Sequence, residues 1–276
     1  MPELPEVEVV RRGLKPHLQG RTITDVRHDG KKLRTDVPYL DMRTYLRGAE
    51  IVALKRRAKY LILEMSNSVL LIIHLGMTGN LGLLPKSTPE AAHDHVAWQL
   101  DNGLELRFND VRRFGSISLI KTEQRASLED TFFKTTGPEP FDPDFNAAYL
   151  YKKASGRSMP VKNFIMTNSV VAGIGNIYAN ESLFAAGIRP TRPAGKISRK
   201  KWAYLIENIR GILTRAISCG GSTISDFIGA SGKKGYFQIA FCVYGKKDQQ
   251  CSHCQAAIKT IKLGGRASFF CPRCQR

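Results

Sequence analysis

Pro2 is the residue of this chain best suited to chemistry, because removal of Met1 would leave its ring nitrogen as a free secondary amine. A chain-terminal amine has a pKa of about 7.7–8.0, so on the order of a tenth of it is neutral and nucleophilic at pH 7. Attack of such an amine on a sugar C1′ forms an iminium, an electron sink that acidifies the neighbouring C2′ proton and opens a route to strand breakage by elimination. Met-Pro alone is an ordinary beginning; its acidic neighbours give it weight. Glu3 is adjacent, and Glu6 falls at the start of a helix, where backbone amides favour a carboxylate. One carboxylate can then move protons while the other fixes the amine.

Four of the six cysteines form a second chemical pattern. Cys251-Ser252-His253-Cys254 and Cys271-Pro272-Arg273-Cys274 are two C-x-x-C knuckles separated by sixteen residues, the spacing of a four-thiolate structural zinc site. Each knuckle turns two sulfurs toward one point, and the segment between can return as a short hairpin. Four thiolates leave no open coordination position, so one structural Zn2+ per chain is expected and a catalytic metal is not. His253 would be a fifth ligand to a full site and is left out of it. Cys219 and Cys242 have no partner in spacing and read as buried thiols. A disulfide framework does not suit the acidic, Pro-bearing N-terminus, which is opposite to the basic-then-apolar order of a secretory signal. A cytosolic protein is the expectation.

These groups need elements to hold them. Val7, Val10, Leu14 and Leu18 recur at helical spacing, with Pro5 suited to a first turn, so a helix follows a lead-in over residues 1–4. Runs at 22–27, 51–54, 60–65, 69–75, 96–100, 104–108 and 116–120 read as strands, with Ser66-Asn67-Ser68 and Asp101-Asn102-Gly103 as hairpin turns. The 69–75 run is too short to span a membrane and carries His74, so it is a buried strand. Three prolines between 137 and 143 mark a stiff linker, beyond which the period becomes helical; Ser198 caps an amphipathic helix that ends at Gly220-Gly221. The fold class is α+β in two domains. An N-terminal antiparallel β-sandwich with flanking helices occupies 1–133, a linker 134–148, a helical domain 149–242 and a zinc ribbon 243–276.

Charge names the partner. Lys and Arg number 42 against 24 Asp and Glu, a net +18, and the excess is lopsided: 21 against 17 up to residue 135, and 21 against 7 beyond it. With 42% hydrophobic residues the chain is too apolar for a disordered tail. No basic amphipathic anchor or lipidation signal points to a membrane, so the expected polyanion is nucleic acid.

Pro2-Glu3-Leu4-Pro5-Glu6-Val7-Glu8, Arg57-Ala58-Lys59-Tyr60, His74-Leu75-Gly76-Met77, Asp110-Val111-Arg112-Arg113-Phe114-Gly115, Gly173-Ile174-Gly175-Asn176-Ile177-Tyr178 and the four terminal cysteines together resemble the formamidopyrimidine-DNA glycosylase family, from residue 2 to residue 274. The resemblance implies a bifunctional enzyme of base excision repair that removes oxidised purines, notably 8-oxoguanine and formamidopyrimidines, from duplex DNA. It would then cut the abasic strand by β,δ-elimination. It also implies a helix-two-turn-helix element at about 168–186, a monomer in the bacterial cytoplasm working on damaged double-stranded DNA, and neither a nucleotide cofactor nor a membrane partner.

Carried over by position, the resemblance assigns Pro2 as Schiff-base nucleophile, Glu3 as proton donor and acceptor, and Glu6 as their support. Lys59 corresponds to a family lysine at the lesion and its adjoining phosphate, where a cation would stabilise charge developing on the leaving base. Arg266, inside the zinc hairpin, completes the catalytic set as a cation delivered to the DNA backbone. Met77, Arg112 and Phe114 match the three side chains that fill the hole left by a flipped nucleotide: an apolar wedge, a guanidinium able to reach the orphaned cytosine, and an aromatic that buckles the next step. His74, Asn176 and Arg157 are expected as further DNA contacts, and Arg113 as a structural or phosphate-directed cation. Gly173-x-Gly175 lacks the strand and third glycine of a dinucleotide loop, so a turn presenting N–H groups to a DNA phosphate fits better.

The glycine-rich segment 229–236 is expected to be a loop that closes over the extruded base. Lys234 stands where the family commonly has proline, and 154–158 replaces a lysine-rich stretch of some members. Two alternatives stand beside this reading: an endonuclease VIII-type enzyme for oxidised pyrimidines, and a catalytically inactive zinc-bearing DNA-binding module. Leu4 and the complete Met77, Arg112 and Phe114 set favour the purine enzyme.

Overall fold

Residues 2–121, 123, 128–220 and 241–276 are described by the computed structural model. They fall into two compact units, one reaching to Lys134 and the other running from Thr135 to Ser218 and including the C-terminal segment to Arg276. The expected loop at 229–236 and the glycine pair's second member, Gly221, lie outside the described residues.

The first unit opens with α1 (Leu4–Leu18), so the lead-in is shorter than expected, with Leu4 already helical and Pro5 in the first turn. There follow β1 (Ile23–His28), α2 (Tyr39–Leu46), β2 (Ile51–Arg57), β3 (Tyr60–Met65), β4 (Leu70–His74), β5 (Asn80–Pro85), β6 (Asp94–Leu100), β7 (Leu104–Asn109) and β8 (Ser116–Ile120). The strands form two four-stranded sheets ordered β1-β6-β7-β5 and β2-β3-β4-β8, and every pairing is antiparallel. Val26, Trp98 and Phe108 of one sheet share a core with Leu61, Leu63, Leu71 and Ile73 of the other, and Val7, Val10, Leu14 and Leu18 of α1 join it. The result is a sandwich with a helix packed into the same core.

Burial on both faces explains why the β4 run carries no polar alternation. Leu71 and Ile73 enter the shared core, whereas Leu70 and Ile72, with Ile62, pack beneath Phe133 in a second cluster on the sheet's other side. Two elements were not foreseen. β5 holds Gly82 and ends at Pro85, residues that weaken a strand signal, and it survives because it is an edge strand paired only to β7. α2 is eight residues long with only Met42 and Leu46 buried, too short to show a period.

The second unit contains α3 (Ala147–Ala154), α4 (Val161–Met166), α5 (Asn176–Ala185), a short 3-10 turn (Ala194–Lys196), α6 (Arg199–Gly220), β9 (Lys259–Leu263) and β10 (Arg266–Phe270). On α6 the side chains of Trp202, Leu205, Ile209 and Leu213 are fully buried, and the Ser198 hydroxyl accepts the Lys201 N–H at 3.3 Å. The proline-rich segment is strapped down rather than loose: Gly137 N–H donates to the Asn168 carbonyl at 2.8 Å, and the Arg210 guanidinium donates to the carbonyls of Pro140, Asp142 and Phe145.

The ribbon of β9 and β10 is fused to the helices. Glu181, on α5, accepts the N–H groups of Cys242, Val243 and Tyr244 at 2.7, 2.9 and 2.8 Å, and Asn180 accepts the Phe269 N–H at 2.8 Å. Buried Lys162 of α4 donates to the Ala267 carbonyl at 2.9 Å and the Ser268 hydroxyl at 2.6 Å, bonds that offset the cost of taking an ammonium out of water. No described helix is long and apolar enough to cross a membrane.

Candidate active site

Glu3 is the N-cap of α1 and is 2% exposed, and Pro2 before it is half-buried. The Glu6 carboxylate accepts the Glu3 N–H at 2.7 Å, in a capping-box arrangement with the N-cap residue. Glu6 therefore grips the peptide that follows Pro2.

One turn along the helix, Glu8 ties α1 to the next functional segment. Its carboxylate receives two bonds from Arg11 at 2.9 and 2.7 Å, one from Arg12 at 2.8 Å and one from Arg56 of β2 at 3.3 Å. Arg56 also donates to the Ala58 carbonyl at 2.9 Å. Arg57 pairs with Tyr60, so Ala58 and Lys59 make a two-residue turn between β2 and β3, with Ala58 in the left-handed region at φ 54°. The same network thus fixes both the helix beginning at Leu4 and the turn that presents Lys59.

Burial pushes the Glu8 carboxyl up, but hydrogen bonds from Arg11 and Arg12 and the charges of Arg11 and Arg56 outweigh it and hold it at about 2 against an ordinary 4.5. A group held low in the folded state stabilises fully above its ordinary value and loses that contribution as pH falls from about 4.5 to about 2. Glu8→Gln is expected to lower stability at pH 7 by about 1–3 kcal/mol, read from urea midpoints, and to flatten the acid limb of stability against pH.

His74 ends β4 opposite Tyr60, with the two rings 4.8 Å apart. Burial, then the nearby charges of Lys59 and Arg34, lower its imidazole to about 4, so it is neutral at pH 7. Gly76 N–H donates to Nδ1 at 3.0 Å, which places the ring proton on Nε2 as an outward donor. Beyond it, Met77 and Phe114 are 42% and 43% exposed, unusual for large apolar side chains beside a filled core. The Arg112 guanidinium lies 4.5 Å over the Phe114 ring, so these two of the expected trio form one exposed platform. Exposed Arg113, at φ 55°, stands in the left-handed region, as does exposed His93, at φ 73°, whose carbonyl accepts the Asp110 N–H.

In the second unit Asn176 begins α5, behind a Gly175 N-cap that supplies no side-chain bond, and its Oδ1 is buried with no partner among the described residues. Exposed Arg157 follows α3 on a loop whose carbonyl accepts the Gly195 N–H at 3.0 Å. Exposed Arg266 opens β10 directly after a tight turn of Gly264 and Gly265, both at positive φ. Gly264 suits this position because its φ of 53° lies in the left-handed region, and a Cβ there would stand 2.6 Å from the Asn163 amide nitrogen and push that side chain aside.

The sulfurs of Cys251, Cys254, Cys271 and Cys274 all lie within 4.8 Å of one another, and two of these residues are fully buried. His253 turns elsewhere, its ring 4.9 Å from that of Phe184. Cys219 is exposed and Cys242 half-buried, which corrects their reading as buried thiols: Cys219 lies on an outward face of α6 and Cys242 at the open end of the Glu181 nest.

Comparison with known proteins gives three consecutive family matches: the formamidopyrimidine-DNA glycosylase N-terminal domain over residues 1–117, its H2TH domain over 136–228, and a zinc finger found in FPG and IleRS over 248–276. Formamidopyrimidine-DNA glycosylases of Hahella chejuensis and Stutzerimonas stutzeri are 47% and 49% identical over 276 residues, 100% of each chain. The chain belongs to the formamidopyrimidine-DNA glycosylase family. A Lactococcus lactis member, solved as a mutant bound to Fapy-dG-containing DNA, superposes with a TM-score of 0.89 at 36% identity over 100% of both chains.

As a formamidopyrimidine-DNA glycosylase the protein is a DNA glycosylase of base excision repair, in a family to which AP lyase activity is characteristic. The zinc-finger match and the four converging thiols fit one structural Zn2+. Four thiolates supply the metal's full tetrahedral set, so it would organise the ribbon.

Proposed function

We propose that this glycosylase excises oxidised purines, 8-oxoguanine and formamidopyrimidines, from damaged duplex DNA through Pro2, and then cleaves the abasic strand by β,δ-elimination. With Met1 removed, the Pro2 nitrogen attacks C1′; the glycosidic bond breaks, its electrons leave with the base, and the amine gives up its proton. The O,N-acetal so formed opens as the C1′–O4′ bond breaks and O4′ takes up a proton, which leaves an iminium. The iminium makes a C2′ proton acidic, and its removal expels the 3′ phosphate; a second elimination expels the 5′ phosphate. Glu3 serves as proton donor and acceptor, Glu6 as the support of the amine, and Lys59 stabilises charge on the departing base. The observation that carries this reading is the Glu6 clamp on the peptide after Pro2, next to a carboxylate only 2% exposed.

Met77, Arg112 and Phe114 fill the vacated stack, and His74, Asn176, Arg157 and Arg266 hold the DNA. The functional division follows residues 1–133, 134–148, 149–242 and 243–276, and the protein works as a monomer in the cytoplasm. Borohydride trapping on duplex DNA with 8-oxoguanine opposite cytosine tests the reading: a covalent complex is expected, and a protein that binds without being trapped would be a docking module. Faster cutting at thymine glycol than at 8-oxoguanine would reject the purine preference.

A neutral His74 contacts phosphate without releasing a counterion. His74→Gln is therefore expected to weaken DNA binding at every salt concentration with the same salt slope, whereas Arg266→Ala should reduce that slope by about 1. Anisotropy titrations across a salt series check both.

A further inference from the structure

We propose that Asp110 and Thr78 are positioning residues that lock the 76–78 loop and the 112–114 loop into a single wedge; this deepens the base-extrusion part of the function above and rests on it. Asp110 is 0% exposed, and its two carboxylate oxygens serve different loops. Oδ2 accepts the Gly115 N–H at 2.7 Å, and Oδ1 accepts the Thr78 hydroxyl. The Thr78 oxygen in turn accepts the Arg112 N–H at 3.2 Å. A continuous path of hydrogen bonds thus joins the residue after Met77 to both flanks of the segment that carries Arg112 and Phe114.

The backbone geometry leaves no slack between the loops. A Cβ on Gly76 would stand 2.4 Å from both the Phe114 carbonyl carbon and the Gly115 nitrogen, and one on Gly115 would stand 2.8 Å from the His74 carbonyl oxygen. From below, His95 Nε2 donates to the Asp110 carbonyl at 2.9 Å, while its Nδ1 meets the Asp29 carboxylate at 2.8 Å. A buried carboxylate is expensive unless it is bonded, and here an N–H and a hydroxyl provide that bonding. Filling a vacated stack requires Met77 and Arg112 to enter together, because a displacement of about 1 Å can cost on the order of 100-fold in rate.

Thr78→Val removes the hydroxyl and keeps the side-chain shape; Thr78→Ser restores it. Single-turnover excision of 8-oxoguanine from duplex DNA reads the wedge, and borohydride trapping on a preformed abasic site in single-stranded DNA, which has no orphaned partner base, reads the amine chemistry alone. Thr78→Val is expected to slow duplex excision about tenfold while leaving trapping unchanged, with Thr78→Ser recovering the rate. In a Met77→Ala background Thr78→Val should cost less than in the wild type, because part of what it positions is already gone while its bond to the Arg112 N–H remains. Equal losses in both backgrounds, a parallel fall in trapping, or no loss at all would overturn the inference. Met77→Ala excising at the wild-type rate would overturn the wedge itself, a result separate from additive losses that sink only the positioning role.

Discussion

Glu3→Gln should slow base excision by about 10²- to 10⁴-fold, the usual worth of a positioned proton donor, while still forming a trappable complex on a preformed abasic site. The asymmetry follows from what each group does. In the role proposed for it, Glu3, the N-cap residue next to Pro2 in the chain, gives a proton to the leaving base, so the Gln variant would lose that assistance while the amine is untouched. Gln keeps the shape and an acceptor oxygen, so the helix start and the Glu6 clamp on the Glu3 N–H survive. Pro2→Gly gives the complementary pattern: a primary amine remains, so trapping persists at reduced yield. Quenched-flow excision and borohydride trapping on the two substrates separate the steps. Unimpaired excision by the Gln variant would remove Glu3 from its role, and loss of both activities together would mean that the helix start had been disrupted.

Cys271→Ser should release the zinc and weaken binding to lesion DNA, with a smaller salt slope. Cys271 is fully buried among the four sulfurs, and a hydroxyl is a poor substitute for a thiolate ligand. Structural zinc contributes about 10–16 kcal/mol to the folding of isolated zinc-finger peptides, but this ribbon has further anchors in Glu181, Asn180 and Lys162. The helical unit should therefore stay folded while the hairpin presenting Arg266 loses its order, and the salt slope should fall by about 1 for each phosphate the hairpin no longer reaches. Metal content by mass spectrometry and anisotropy titrations test this. Unchanged affinity in a zinc-free variant would show that the hairpin does not hold the DNA.

Elements with a clear period could be read from the residues alone. The α1 spacing of Val7, Val10, Leu14 and Leu18, the β4 run and the α6 stripe each bury a face that the sequence displays directly. The two cysteine knuckles were equally plain, because metal ligation is set by short-range spacing. Pairings across long separations were not. Thr78 meets Asp110 across 32 residues, and Arg56 meets Glu8 across 48, so neither bond leaves a local pattern. Asp110 stood out only as a neighbour of Arg112, and its own part emerged from the two loops it joins. The edge strand β5 was hidden by Gly82 and Pro85, residues that an edge accepts and a central strand would not.

The double burial of β4 carries a cost during synthesis. Its partner β3 has already emerged when β4 is made, but β8, which covers its other edge, follows only after β5, β6 and β7. A nascent chain that paired β3 with β4 before β8 was made would leave Leu70-Leu71-Ile72-Ile73 with an open edge and two apolar faces, a combination that favours aggregation. Growth at lower temperature or added chaperone is therefore expected to raise the yield of folded enzyme, measured as the soluble fraction.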